Sequence, residues 1–375
     1  MTIPVRPLLF WMDVLTPHWH TTLGHLAHIL QTPVSILATQ TAVAADRSLL
    51  GWAANAADDA RVEVRAKPAP LELANQDWRN HLHVVCNPFN NRVNRALLRV
   101  LDQQGALYGL QQSRPGLMSG TLGRVARAIA FRTVFRQALL RARFVLCHGS
   151  FCRTYLRGCG VAEDRLFDSG YFVEPPAVLR LDDGPSDPLK PVRAVYLGQF
   201  IARKQVLPFA RSLPQSDGHD WTLDLIGAGP QESQLRVLLS GRPCRLLPLV
   251  PYQQVMPTLT AYEVLVLPSR ADEWGVVINE AIHAGCAVIT TEQCGAADLV
   301  RNGGCGMVVA DAPACARALV KLARDRPRLN RYRAAARAMS TRITATSGAG
   351  YLASLFRHVS AGGPRPLPPW MDAGT

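Results

Sequence analysis

EVLVLPSRADEWGVVINEAIHAGCAVITT (263–291) decides the fold. A short β-branched run (264–267) ends in a polar loop. A helical stretch follows, and then a second β-branched run (286–291). Strand, helix, strand in so few residues is a βαβ unit, which makes the two strands parallel. Working outward, AVYLG (194–198), WTLDLIG (221–227), RLLPL (245–249) and GMVVA (306–310) repeat the strand signal. Helical stretches at 204–213, 231–239 and about 313–325 separate them. Continuous apolar strands between helices predict a parallel sheet covered on both faces. The first half repeats the theme with PLLFWMD (7–13), PVSILAT (33–39), HVVC (83–86), ALYGL (106–110) and FVLC (144–147), and helices near 19–30, 93–103 and 121–141. The fold class is α/β, with two Rossmann-like domains. The first is placed at 1–175 and the second at 192–340, joined by a Pro-, Asp- and Gly-rich linker at 174–191. A last helix within 341–360 is expected to cross back to the first domain, and the proline-rich tail at 361–375 to be disordered.

At 375 residues the chain has room for two cores. No run of about eighteen residues is continuously apolar, and the opening MTIPVR lacks the pattern of a signal peptide, so a cytosolic location is expected. The nine cysteines are scattered without a CxxC pair, and many lie in apolar runs where a thiol is a small hydrophobe. Net charge is +13, yet among 41 basic residues only Lys67, Lys190, Lys204 and Lys321 are lysines. That balance fits either a basic solvated surface or attraction to anionic lipid, nucleic acid or phosphorylated substrates. A nucleic-acid binder lacks support, because no stacking platform or base-reading motif is present.

Ligands of open α/β sheets bind beyond the carboxyl ends of the strands. Three such junctions are rich in glycine and charge: Gly198-Gln199 running to Arg203-Lys204, Gly227-Ala228-Gly229, and Ser269 to Gly275. Glycines let backbone amides approach an anion, so one rim carrying all three and a cationic pair suggests a diphosphate site. Asp272 and Glu280 are separated by seven residues across the helix start. Glu280 sits among Val276, Val277, Ile278 and Ile282, where a carboxylate needs hydrogen-bond donors, and two ribose hydroxyls would supply them. On the plainer reading Asp272 is a helix-start acid and Glu280 a surface residue.

LVLPSRADEWGVVINEAIHAGCAVITTEQCGAADLV (265–300) resembles the donor-binding region of family 4 retaining glycosyltransferases of the GT-B fold. AVYLGQFIARKQV is similar to that family's glycine-and-lysine segment, LIGAGP to its second glycine turn, and VPYQQVMPTLTAYEVLVLPS to its nucleobase segment. The resemblance implies a nucleotide sugar as co-substrate, no further cofactor and no metal. Gly198, Gln199, Gly227, Gly229, Trp274, Gly275, Val276 and Glu280 would bind the donor, with Asp272, Lys204 and Arg203 acting in catalysis. Asp272 stands where the family has Glu, Gln199 stands where an Arg is usual, and 109–114 lacks the family's first-domain histidine. The resemblance further implies retention of configuration, with the leaving phosphate taking the acceptor's proton. The acceptor would be a glycan or lipid-linked saccharide of a surface polysaccharide.

On the acceptor side, Asn87, Asn90, Gln112, Arg114 and His18 follow first-domain strands. The Asn residues suit either sugar hydroxyls or turn formation, and His18 either packing or the cleft. GRVARAIAFRTVFRQALLRAR (123–143) interleaves arginines with apolar residues, so peripheral contact with anionic membrane is also an expectation. Two rivals remain: a GT-B sugar-nucleotide epimerase, which turns over donor without acceptor, and a non-catalytic nucleotide-binding member.

Overall fold

The computed structural model describes residues 6–40, 62–69, 72–90, 92–113, 121–179, 184–215 and 220–371. The chain divides into two compact units.

Unit 1 is built on a seven-stranded parallel sheet: β1 (Leu8–Val14), β2 (Val34–Gln40), β3 (Val62–Ala66), β4 (Leu82–Cys86), β5 (Leu107–Gln112), β6 (Val145–His148) and β7 (Leu166–Ser169). Their spatial order is β3-β2-β1-β4-β5-β6-β7. β4 and β6 are buried along their whole length, as a sheet covered on both faces requires. Sequence reading passed over β3 and β7, because half-exposed VEVRA and short LFDS give little apolar signal. The helix expected to run through 121–141 is instead Thr121–Arg132 and Arg136–Arg141. The break at 133–135 lets Phe135 stack on Phe89 at 4.4 Å while Phe131 meets the same ring edge-on at 4.8 Å.

Unit 2 carries a six-stranded parallel sheet: β8 (Val192–Leu197), β9 (Trp221–Ile226), β10 (Cys244–Leu247), β11 (Val264–Leu267), β12 (Ala287–Thr291) and β13 (Gly306–Val309). The order is β10-β9-β8-β11-β12-β13. In each unit the first strand is flanked by the second and the fourth. Successive connections therefore leave in opposite directions, and a crevice opens at the carboxyl ends, in unit 2 between β8 and β11.

Helix starts follow local chemistry. Asp311 accepts from Ala314 N at 2.8 Å and Asp325 from Arg328 N at 3.0 Å, each with a proline in the first turn. The segment 184–191, read as linker, is tied into unit 2. Ser186 N donates to Asn330 Oδ1 at 2.8 Å and Arg326 Nη1 donates to Ser186 Oγ at 2.7 Å.

The final helix, Ala345–Ala361, belongs to unit 1, where Phe356 packs edge-on against Phe10 at 6.2 Å. Gly348 has no Cβ because Phe172 occupies that place. The tail corrects an expectation: it is ordered through Met371. Arg365 stacks over Phe167, 4.3 Å from the ring centroid, and Trp370 is 2% exposed beside Phe172. Disorder was read from the prolines. The buried indole, the Arg365–Phe167 stack and the Arg365 bonds to the carbonyls of Glu163 and Asp164 together hold the segment, and its prolines reduce the entropy that ordering costs. Trp370→Ala is expected to destabilise unit 1 by about 3–5 kcal/mol, read by denaturant titration.

Candidate active site

Lys204 ends a short turn (Ala202–Lys204) beyond β8, and Asp272 lies in the loop beyond β11. Their side chains form an ion pair across the switch point, both largely buried. Arg203 Nη1 stands 3.9 Å from the second Asp272 oxygen and donates to Ala271 O at 3.4 Å. Arg270 N donates to Arg203 O at 2.9 Å, which ties the two loops by backbone as well. Ser269 Oγ donates to Asp272 Oδ2 at 3.3 Å.

The Asp272 loop is held from its other side by the loop after β12. Asp272 N donates to Gln293 O at 3.1 Å, Gly295 N to Asp272 O at 3.2 Å, and Cys294 Sγ to Trp274 O at 2.7 Å. Gly275 adopts φ 91°, and a Cβ there would stand 2.6 Å from Cys294 Sγ, so only glycine fits. The helix Val277–His283 begins just beyond. The amides of Gly275 and Val276 donate to no group among the described residues, which leaves two N–H groups in the loop that also carries Asp272.

Trp274 is not placed as a ligand contact. Its indole is buried and donates to Asn279 Oδ1 at 2.8 Å, pinning the loop to the helix. Gly227 also has a structural reason: a Cβ would lie 1.9 Å from Gly198 O, because the two glycine turns touch backbone to backbone. Gly229 likewise faces the Phe200 backbone, and Phe200 N donates to Ala228 O at 2.8 Å. Gln199 is exposed, and its carbonyl accepts from the Tyr196 hydroxyl at 2.7 Å. Beside these turns a cavity of about 280 Å³ is lined by Phe200, Gly227, Leu247 and Leu249, with Glu232 and Arg236 at its edge.

Glu280 is 5% exposed, and its carboxyl receives no hydrogen bond from a described residue. Burial alone pushes its pKa up to about 8. Burial first, and then the nearby Glu280 carboxylate, raise the Tyr252 phenol, which places Tyr252 next to it. Sequence reading found Glu280 but missed Tyr252 and Asn279, whose roles depend on contacts rather than local pattern. Among the described residues no group of three His, Cys, Asp or Glu side chains could hold a metal ion.

In unit 1 the acceptor-side candidates scatter. Asn87 adopts φ 43° and its Oδ1 accepts from Ser113 N at 3.2 Å, a turn role. His18 is buried against Tyr171, and burial lowers its pKa to about 4. Gln112 is buried, its Nε2 donates to Ser113 O at 2.6 Å, and its Oε1 has no partner. Arg114 and the Asn90 side chain lie outside the described residues. The missed residue is His148, at the carboxyl end of β6, between Gln111 Nε2 at 2.8 Å and Ser113 Oγ at 3.3 Å. Burial lowers its pKa to about 4, so it is neutral near pH 7. A histidine ending the apolar run FVLCH was the available signal.

Residues 191–325 match the family model described as "Glycosyl transferases group 1". A 143-residue stretch is 32% identical to an exopolysaccharide phosphotransferase of Streptomyces coelicolor, covering 36% of this chain. That stretch spans 15% of the relative's length. Among solved structures, a glycosyltransferase from Rickettsia africae aligns with TM-score 0.69 and 12% identity, covering 96% of this chain and 100% of its own. Anabaena HepE in complex with UDP aligns at 0.67 and 15%, covering 93% and 98%. At these identities the structural likeness speaks for the fold: two Rossmann-like domains of the GT-B type.

The buried Glu280 carries a pH signature. Its folded pKa stands above the ordinary unfolded value, so the native state holds its proton through the interval where the unfolded chain has lost it. Stability is therefore lost as pH rises from about 4.5 to about 8. Glu280→Gln removes that slope. The variant's advantage over wild type is expected to grow across this window by at most about 1.4 kcal/mol per pH unit, measured by denaturant midpoints.

Proposed function

We propose, from the match of residues 191–325 to the group 1 glycosyl transferases, that this chain moves a sugar from a nucleoside-diphosphate sugar to a glycan or lipid-linked saccharide acceptor. Surface polysaccharide is the proposed product, in line with the exopolysaccharide named for the Streptomyces relative. The observation that supports the reading is the cluster of Lys204 and Arg203 about Asp272 at the β8–β11 switch point, in a loop whose Gly275 and Val276 amides donate to no described residue.

The chemistry follows from charge. As a glycosyl bond to a diphosphate breaks, negative charge grows on the departing phosphate and the sugar becomes oxocarbenium-like. Cations and N–H dipoles already in place stabilise that charge without reorganising. Lys204 and Arg203 supply the cations, while the amides of Gly275 and Val276 supply the dipoles, so the reading requires no resident metal. Asp272 orients Lys204 through their ion pair and, one methylene shorter than Glu, reaches a sugar hydroxyl less readily. The Glu280 carboxyl accepts from the ribose hydroxyls, donors that the described residues do not provide. The cavity beside the glycine turns, where Phe200, Leu247 and Leu249 meet Glu232 and Arg236, suits a nucleobase with its flat face and polar edge. Configuration at the transferred carbon is retained, with the departing phosphate taking the acceptor's proton on the same face. Unit 1 binds the acceptor at the carboxyl ends of β5 and β6, where Gln111, Gln112, Ser113 and neutral His148 offer uncharged polar contacts suited to hydroxyls.

A thermal-shift panel of nucleotide sugars tests the donor. The true donor at a hundred times its Kd is expected to stabilise by about 2.7 kcal/mol, while a panel in which UDP- and GDP-sugars leave the melting point unchanged contradicts the reading. Lys204→Ala is expected to lower kcat by about 10²–10³ with native circular dichroism. Turnover is expected to be unaffected by EDTA. Release of nucleoside diphosphate without acceptor, at the full rate, would favour the epimerase or a hydrolase.

A further inference from the structure

The two helices Thr121–Arg132 and Arg136–Arg141 use one side and leave the other uncovered. Phe131 and Leu139 are buried in the unit 1 core, with Phe135 packed against them. Away from that core, Val125 is 55% exposed, Ile129 59% and Val134 74%. Val125, Ile129 and Arg132 follow one another at helical spacing, so two aliphatic side chains and a guanidinium share a face. Arg136, also exposed, opens the next helix. Neither Arg132 nor Arg136 forms an ion pair among the described residues, whereas Arg141 is matched to Asp102 at 3.1 Å. The sequence has no acidic residue between Asp102 and Glu163.

We infer that this face rests on an anionic lipid bilayer, with Val125, Ile129 and Val134 in the headgroup–acyl boundary and Arg132 and Arg136 at the phosphates. The pairing of aliphatic and cationic groups selects the partner. A single-stranded nucleic acid gains from exposed aromatic rings, and here Phe131 is buried and Phe135 half-buried, while a duplex would meet the arginines through its phosphates but leave the aliphatics in water. A polyanionic glycan would meet the arginines but leave the aliphatics in water. A second copy would bring arginine onto arginine. A bilayer surface accepts both kinds of group. No helix among the described residues is long and apolar enough to cross a membrane, so the contact is lateral.

Flotation of the full chain tests this, using phosphatidylcholine vesicles with and without about 30 mol% phosphatidylglycerol at about 0.1 M salt. The expected result is at least tenfold preference for the anionic vesicles, lost near 1 M salt. Val125→Ser with Ile129→Ser is expected to cut partitioning about tenfold, and Arg132→Gln with Arg136→Gln by roughly fivefold per arginine. All four side chains are exposed, so unchanged melting points certify folding of both variants. Equal recovery on both vesicle types overturns the inference, as does unaltered binding by the folded variants. Self-association in sedimentation velocity that the serine variant abolishes assigns the face to a second copy instead and equally overturns it.

Discussion

An ammonium held against a carboxylate at the sheet's switch point organises unit 2. Lys204 and Asp272 arrive from loops beyond two neighbouring strands, and each is mostly withdrawn from water. Such a pair gains little over separate hydrated ions, since desolvation offsets most of the attraction. Its consequence is positional: neither loop can move without leaving a charge uncompensated. The Arg270–Arg203 backbone bond and the stitching of the Asp272 loop to Gln293 and Gly295 add fixed geometry around it. The result is a corner in which Lys204, Arg203 and Asp272 hold fixed positions.

The glycines show how close backbone approach and ligand recognition share residues. Gly227 is required by the Gly198 carbonyl, and Gly275 by its positive φ and the Cys294 sulfur. Neither was placed solely to admit a phosphate. Trp274 plays the complementary part: its buried indole fixes where the helix begins, and so where the Gly275 and Val276 amides sit.

At the carboxyl ends of β4, β5 and β6 the described residues of unit 1 make a neutral polar chain. Cys86 Sγ donates to Gln111 Oε1 at 3.1 Å, Gln111 meets His148, and His148 meets Ser113, forming a chain of neutral groups. The Gln111 amide donates to the Nε2 of His148, so the imidazole proton sits on Nδ1, facing Ser113. Burial keeps that ring uncharged. Among the described charged groups nearby, Lys67 pairs with Asp13 at 3.0 Å and Arg153 with Asp168 at 2.6 Å. One edge therefore carries paired charges and the other a run of neutral polar groups, on sheets with the same internal order.

The sequence by itself determined the two parallel sheets, because a buried strand is a continuous apolar run whatever surrounds it, and it marked Glu280 as a carboxylate out of place in an apolar helix. It also exposed the glycine-rich junctions, since backbone permissiveness is a property of one residue. Only the tertiary structure decided that Lys204 meets Asp272, that Trp274 is spent on Asn279, that His148 joins Gln111, and that Trp370 docks a tail whose composition reads as disordered. Those contacts depend on strand order, which sets distant loops side by side. Periodicity and propensity register near neighbours along the chain and carry no record of which strand lies beside which.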